Sequence, residues 1–436
     1  MSRLPGLPVL MLMAALAGAI PATGETLSPP ATRVLDAGFF GIHFHRLQLL
    51  PGEKALQTAW PPLNFGMVRL WDSRTRWADL EPARGQWKFG RLDHYVNEAR
   101  ANGAQVLYTL GSTPRWASAR PDEPCSYGNG CAAEPRDMED WREYVRVVAR
   151  RYRGKICCYE LWNEPKFSDI ARDRKFQQFF TGSIASMVEM ARIARQVLNE
   201  EDASAMLLTP GFVNGPDRLD LFLSAGGRKY VQGIAYHFYA NDENFMVREI
   251  ETVRALLHKH GLQNLPLWST EAGVEVHEPN KPLPPGVKTH LTREEAAAMM
   301  VRQVVLAAFA GLDKYVYYAW DNDKSGMVDR AGRFHPSRDA MILVRRWLIG
   351  AKPERCDIGE DRPTMCWGEK DGKPFAIVWN PANSDLINVP LPKDLRIATR
   401  QVAVLRWSGS AQPDETGSLW ATPNPAFYTF ERMAQQ

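Results

Sequence analysis

This 436-residue chain lacks several things, and each absence excludes a class of function. No run of Lys and Arg approaches a polybasic patch, and 53 basic against 50 acidic residues leave a formal net charge of only +3. A nucleic-acid partner is therefore not indicated. Past residue 20 no apolar run is long enough to span a bilayer. No C-x-x-C pair occurs, which removes the common thiol-redox and zinc-site spacings. No glycine-rich phosphate loop follows the first strand-like run, and neither an internal repeat nor a low-complexity segment is present.

What is there begins with Arg3, then an apolar stretch VLMLMAALAGAI (9–20), then small residues at Ala22-Thr23-Gly24. That layout predicts a secretory signal peptide over 1–24, with the mature chain starting near Glu25 in the periplasm or outside the cell; an uncleaved inner-membrane anchor is the alternative. Six cysteines suit an oxidising compartment. Cys125 and Cys131 bracket a glycine-rich loop, Cys356 and Cys366 bracket a hairpin-sized stretch, and each spacing predicts a disulfide. Cys157 and Cys158 are neighbours at the head of an apolar run, so strand alternation sends them to opposite faces and predicts that they stay reduced.

Short apolar runs alternate with helical periodicity. The runs are 39–45, 67–71, 105–110, 157–162, 205–212, 233–239, 265–270 and 315–320. They are near-continuously apolar, as strands covered on both faces should be. Eight such strands alternating with helices predict a (β/α)8 TIM barrel over 36–350, in preference to an open doubly wound sheet. After residue 350 the texture changes to short, turn-punctuated strands without helices. This predicts a small C-terminal β-sandwich-like domain over 351–436, to which residues 25–35 add an edge strand.

Barrel enzymes place their chemistry at the C-terminal ends of the strands. Those ends are polar and aromatic in this sequence: His43 and His45, Arg69 with Trp71 and Asp72, Trp116, Asn163 and Glu164, His237 and Tyr239, Glu271, Trp320 and Asp321. The fourth run ends YELWNEP (159–165) and the seventh ends WSTEAG (268–273). Strands four and seven face each other across a barrel, so Glu164 and Glu271 are placed to flank one glycosidic bond. Paired carboxylates so placed are what glycoside hydrolysis requires. The bland reading is that each glutamate merely pairs with an arginine; Arg69 is the candidate for Glu271, where it would also keep that carboxylate ionised. Glu164, at the rim of an apolar strand, is expected to have a raised pKa and to hold a proton for donation.

With LWNEP and WSTEAG in place, the chain resembles the clan A retaining β-glycosidases. Within them VRLWDS (68–73), RWADLEPARGQWKF (76–89), TLGSTPRWAS (109–118) and YHFYA (236–240) resemble glycoside hydrolase family 39, and in particular bacterial endoglycosidases that process exopolysaccharides of biofilms. The resemblance covers roughly 38–350. It implies Glu164 as general acid/base, Glu271 as nucleophile, and Asn163 on the sugar 2-hydroxyl. It implies Arg69 and Tyr239 as groups orienting the nucleophile, and Trp320 as a platform under the sugar. Trp116, His43 and His237 are expected to contact substrate. No cofactor or metal is implied; the expected partner is a polysaccharide or oligosaccharide met by a monomer, with exopolysaccharide biosynthesis machinery as a further associate. The sugar, its linkage, and endo or exo cleavage are left open.

Two rival readings stand beside this one. His43-Phe44-His45 has the spacing of metal-dependent amidohydrolase barrels, but the fifth run carries no histidine and the fourth offers Glu rather than Lys. A non-catalytic polysaccharide-binding barrel is the other, and the presence of both glutamates weighs against it.

Overall fold

The computed structural model describes residues 26–30, 33–47, 58–175, 179–240, 242–276, 290–322, 324–359, 362–380, 387–389, 395–403 and 419–432. The expected signal peptide, residues 1–24, lies outside the described residues. Eight parallel strands form the barrel: β1 (Phe40–His43), β2 (Met67–Leu70), β3 (Gln105–Thr109), β4 (Cys158–Glu160), β5 (Met206–Leu208), β6 (Ile234–His237), β7 (Leu267–Ala272) and β8 (Lys314–Tyr317). The fifth run breaks at Thr209-Pro210-Gly211 and resumes as a short strand Phe212–Val213 that pairs with β6. Proline cannot donate to a ladder, so the strand splits there. Bridges Leu208↔Gly233 and Asn163↔Gly211 carry the ring across the break.

The helices outside the barrel follow their own sequence signals. Met138–Arg151 is capped by Asp137, carries acids in its first turn and arginines in its last, and buries Trp141, Tyr144, Val145 and Val148 on one stripe. Arg293–Phe309 opens with a Thr292/Glu295 capping box and is buried almost all round, because it packs on the barrel, the next helix and the C-terminal sheet. Among the described residues no helix is long and apolar enough to cross a membrane.

Inside the barrel the strands' period of two stacks layers of side chains. Met67, Leu107, Cys158, Leu208, Ala235, Trp268 and Val316 form one apolar layer. Two residues further along four of the same strands stand Arg69, Thr109, Glu160 and His237, all buried. On β7 the register shifts between residues 269 and 271, where His237 pairs with Glu271. This bulge brings Glu271 into the upper layer beside Thr270.

The C-terminal part is an antiparallel six-stranded sheet, ordered Thr26–Leu27, Ala351–Asp357, Thr364–Lys370, Lys373–Trp379, Ala426–Arg432 and Leu395–Val402. A two-stranded sheet, Ile387–Val389 with Leu419–Ala421, lies beside it. Glu243, at the head of helix Glu243–Lys259, ties this sheet to the barrel: it accepts from Arg302 at 2.8 Å and from Trp379 Nε1 at 2.5 Å.

All six cysteines are paired among the described residues. Cys125–Cys131 and Cys356–Cys366 are bridged as their spacing predicts, with Cα atoms 5.7 and 3.8 Å apart. The expectation for Cys157 and Cys158 is corrected, because the structure joins them to each other. The assigned strand begins at Cys158, and Cys157 lies just before it, with its backbone bonded to Val106 and Met206 on either side.

Candidate active site

Arg69, the third residue of β2, is fully buried and organises the upper layer. Its Nε donates to Glu160 Oε2 at 2.7 Å, its Nη1 to Glu271 Oε2 at 2.6 Å, and its Nη2 to Asn163 Oδ1 at 2.7 Å. The guanidinium fork thus locks three acceptors from β4, the turn after it, and β7. Glu271 Oε1 also accepts from Tyr239 O–H at 2.8 Å, and Glu160 Oε2 from Thr109 O–H at 2.7 Å. Burial and the neighbouring Glu271 charge push the Tyr239 phenol well up, so it remains a donor.

Glu164 sits differently. β4 ends at Glu160, and the chain turns at Glu164 with a positive φ of 45°. That is the left-handed region, uncommon for a residue with a side chain and frequent at functional sites. Its N–H donates to Gly211 O at 2.9 Å, which holds the turn against the broken fifth strand. A Cβ at Gly211 would overlap His237 and Glu160, so only glycine fits between them. Glu164 Oε1 lies 2.8 Å from His237 Nδ1, and Glu164, His237 and Glu271 offer atoms that all lie within 4.8 Å of one another.

The charges in this cluster differ from the sequence expectation at one point. Burial pushes the Glu160 carboxyl up, but Arg69 overrides it and holds the group at about 2. Burial drives His237 down, yet the Glu271 charge and the Glu160 and Glu164 carboxylates carry it up to about 9. Burial likewise raises Glu164, but the hydrogen bond from His237 outweighs it and leaves Glu164 below the usual range. The expected elevation of Glu164 is therefore corrected: the His237 contact from the facing strand outweighs burial and holds the carboxyl down. Burial pushes Glu271 up, against the pull of His237 and Arg69.

The remaining sequence candidates are placed as follows. His43 is buried on β1; its Nε2 donates to Thr270 O at 3.1 Å, and its Nδ1 has no partner. Burial and Arg69 hold its pKa well below the ordinary value, so His43 is neutral and Nδ1 is a free acceptor. Trp320 is buried after β8, its N–H bonded to His43 O at 2.9 Å and its indole Nε1 without a partner. Trp116 is half-buried, and its contacts lie elsewhere. Its Nε1 donates to Glu81 O at 2.9 Å, Arg84 lies over its ring at 4.6 Å, and Trp77 meets it edge-on.

Sequence reasoning passed over Glu160 as a site residue, although it stands inside YELWNEP and shares the inward phase of Cys158. It also passed over Tyr318, whose ring meets His43 and His45 edge-on at 5.1 Å each and whose O–H donates to Asp72 Oδ2 at 2.7 Å. Nothing in sequence spacing links residues 72 and 318; only barrel closure does.

Glu164, His237 and Glu271 have the donor types of a metal site. Arg69 already places a positive charge 2.6 Å from Glu271, and His237 directs Nδ1 at Glu164, so these carboxylates have cationic partners within the protein.

Comparison with known proteins adds the following. The sequence model of glycosyl hydrolase family 10 matches residues 59–207. A β-xylosidase of Geobacillus stearothermophilus is 22% identical over 213 residues, 42% of this chain and 40% of that one. The chain thus matches well under half of that relative's length. Among solved structures, a family 39 glycoside hydrolase from Bacteroides cellulosilyticus WH2 superposes with a TM-score of 0.64 at 16% identity, covering 92% of this chain and 82% of that one. A glucosidase from Croceicoccus marinus gives 0.64 at 13% identity over 94% and 99%. A monomeric β-xylosidase from Caulobacter crescentus gives 0.57 at 14% identity over 85% and 90%. The fold is the one shared with these structures, a TIM barrel carrying an appended β domain.

Proposed function

We propose that this chain is a retaining β-glycoside hydrolase, with Glu271 as nucleophile and Glu164 as acid/base. The observation that carries the reading is the approach of the two carboxylates, whose oxygens lie within 4.8 Å. Retaining enzymes hold their carboxyl groups about 5–5.5 Å apart, whereas inverting enzymes need about 6.5–9.5 Å to admit water between acid and base. In the first step a Glu271 oxygen bonds to the anomeric carbon as the glycosidic C–O bond breaks, and the departing oxygen takes a proton from Glu164. That proton reaches Glu164 from His237 across their 2.8 Å hydrogen bond. In the second step Glu164 removes a proton from water, which attacks the anomeric carbon and frees Glu271.

Arg69 and Tyr239 bind the nucleophile through different oxygens, which fixes its direction of attack. Asn163 Oδ1 is occupied by Arg69, so its amide N–H2 is the part left to meet a sugar hydroxyl. Trp320 and His43 lie together beneath this site, their Nε1 and Nδ1 buried and without a partner among the described residues. The finer reading is an endo-acting enzyme on a β-linked bacterial exopolysaccharide, exported by the residue 1–24 signal; the sequence likeness supports it.

The test uses purified protein on a panel of β-linked polysaccharides and the producer's own exopolysaccharide, with product size and early anomeric configuration measured by NMR. Retained configuration with internal cleavage is expected. A first product of inverted configuration overturns the mechanism, and mass spectrometry after trapping with a 2-fluoro glycoside must locate the adduct on Glu271.

A further inference from the structure

Near the nucleophile lies a fourth carboxylate with a support of its own. Asp72 follows β2 and is half-exposed. Tyr318, after β8, donates to its Oδ2 at 2.7 Å, and Tyr127, from the loop closed by Cys125–Cys131, donates to its Oδ1 at 2.9 Å. Trp71 Nε1 in turn donates to Tyr127 Oη at 3.1 Å, and the Arg76 guanidinium covers the Tyr127 ring at 3.9 Å. Elements after three different strands therefore converge on one small acid.

Tyr318 ties that acid to the reaction centre. Its ring packs edge-on against His43, whose free Nδ1 is an acceptor, and its backbone oxygen lies against Gly273, two residues past the nucleophile. Both tyrosines are pushed up by burial and by the Asp72 charge, so they stay donors and Asp72 remains their acceptor. Asp72 also helps to push Glu271 up, although less than burial does. No cation pairs with Asp72 among the described residues; its two partners are neutral hydroxyls. A charge held this way keeps lone pairs for a ligand while repelling other anions.

Resting on the hydrolase reading above, we infer that Asp72 is a specificity-determining residue. Clamped by Tyr127 and Tyr318, it makes the nucleophile's side of the cleft accept hydroxyl-bearing or amino-bearing sugars and reject uronic acids. Before attack, a carboxylate on the sugar lying against Glu271 would stand in the field of Asp72 and Glu271 together, and after attack in that of Asp72. A hydroxyl or ammonium would instead donate to Asp72. The disulfide-closed loop has a role here: it holds Tyr127 in place, so Asp72 is fixed before substrate arrives.

The experiment compares 4-nitrophenyl β-glucoside, β-xyloside and β-glucuronide on wild type, Asp72→Asn and Tyr127→Phe. Wild type is expected to favour the neutral glycosides over the glucuronide by 100-fold or more in kcat/KM. Asp72→Asn should narrow that ratio at least tenfold and move the acid limb of the profile to lower pH as Glu271 loses a like-charged neighbour. Tyr127→Phe keeps the acid but removes one clamp, and should raise KM severalfold with kcat nearly unchanged. A ratio unaltered in Asp72→Asn, or a wild type that prefers the glucuronide, overturns the inference. A binding arm uses tryptophan fluorescence with cellotriose and with glucuronic acid. Tighter binding of the acid also overturns the inference. Neutral-sugar binding that Asp72→Asn weakens, in a protein that hydrolyses nothing, overturns the hydrolase reading and supports this one.

Discussion

The two inner layers of the barrel sit two residues apart on the same strands and have opposite chemistry. Met67, Leu107, Cys158 and Ala235 pack against one another with nothing to titrate. Arg69, Thr109, Glu160 and His237, one pleat along, form a hydrogen-bonded charge cluster of which almost nothing is exposed. The lower layer can lose a methyl group and keep its meaning. The upper layer is tolerable only complete, since a buried charge without its partner costs several kcal/mol. The contrast separates residues that hold the barrel from residues the barrel exists to hold.

The largest effect should come from the two glutamates. Glu271→Ala should abolish cleavage of every substrate, because no covalent intermediate can form. Glu164→Ala should lose about 10²–10⁴-fold on polysaccharide. On an aryl glycoside it should keep the burst of aryl alcohol, with slow turnover that added azide restores. If Glu271→Ala shows the burst and the rescue while Glu164→Ala shows neither, the two roles are reversed. Wild-type activity on polysaccharide in both variants would place the site elsewhere.

Next comes the contrast between layers. Arg69→Met leaves Glu160 buried without its cation and should destabilise by about 3–5 kcal/mol in urea unfolding, with activity lost. Leu107→Ala should cost about 2–5 kcal/mol by opening a cavity, while the folded fraction keeps its kcat. A Leu107→Ala enzyme whose folded molecules are as inactive as Arg69→Met would show that the layers are not separable.

The strand count was readable in the sequence because it follows from the alternation of apolar runs with helical periodicity. Glu164 and Glu271 were readable as carboxylates where apolar runs stop. Glu160 was not, because it lies within the run and looks like strand; its meaning depends on Arg69, ninety-one residues away in sequence. The protonation of Glu164 was misjudged for a related reason. Burial could be read from the apolar run, but the His237 contact that outweighs burial comes from another strand. Asp72 and Tyr318 meet only because the barrel closes.

A smaller effect belongs to His237. Its pKa is raised to about 9, so its charged form stabilises the fold fully below about pH 6.5, and that contribution is lost as pH rises through about 9. The stability gap between wild type and His237→Asn should therefore close across that window. The alkaline limb of kcat/KM should also move to lower pH in the variant, because the proton on the His237–Glu164 pair loses its holder. An unmoved limb would mean that the proton used in catalysis does not pass through His237.

The smallest effect is expected at the lower end of β4. Cys157 and Cys158 are joined, yet they are adjacent, with Cα atoms 3.7 Å apart, so their bond closes no loop worth the name. In the chain-entropy account a disulfide stabilises by restricting the unfolded chain, and restriction grows with the length enclosed. Cys157→Ser should thus change stability by less than about 1 kcal/mol, and less than opening Cys125–Cys131 or Cys356–Cys366, whose partners are 6 and 10 residues apart. Cys158 contributes to the lower layer as an apolar filler whether bonded or not, so Cys158→Ala should cost only the sulfur's packing. Neither change should alter kcat, since the nearest member of the upper layer on that strand is Glu160, one pleat up. The decisive measurement is a thiol count on unreduced, denatured protein. No free thiol supports the vicinal bond; two free thiols, traced by mass spectrometry to residues 157 and 158, would return the pair to the reduced state that strand alternation implies.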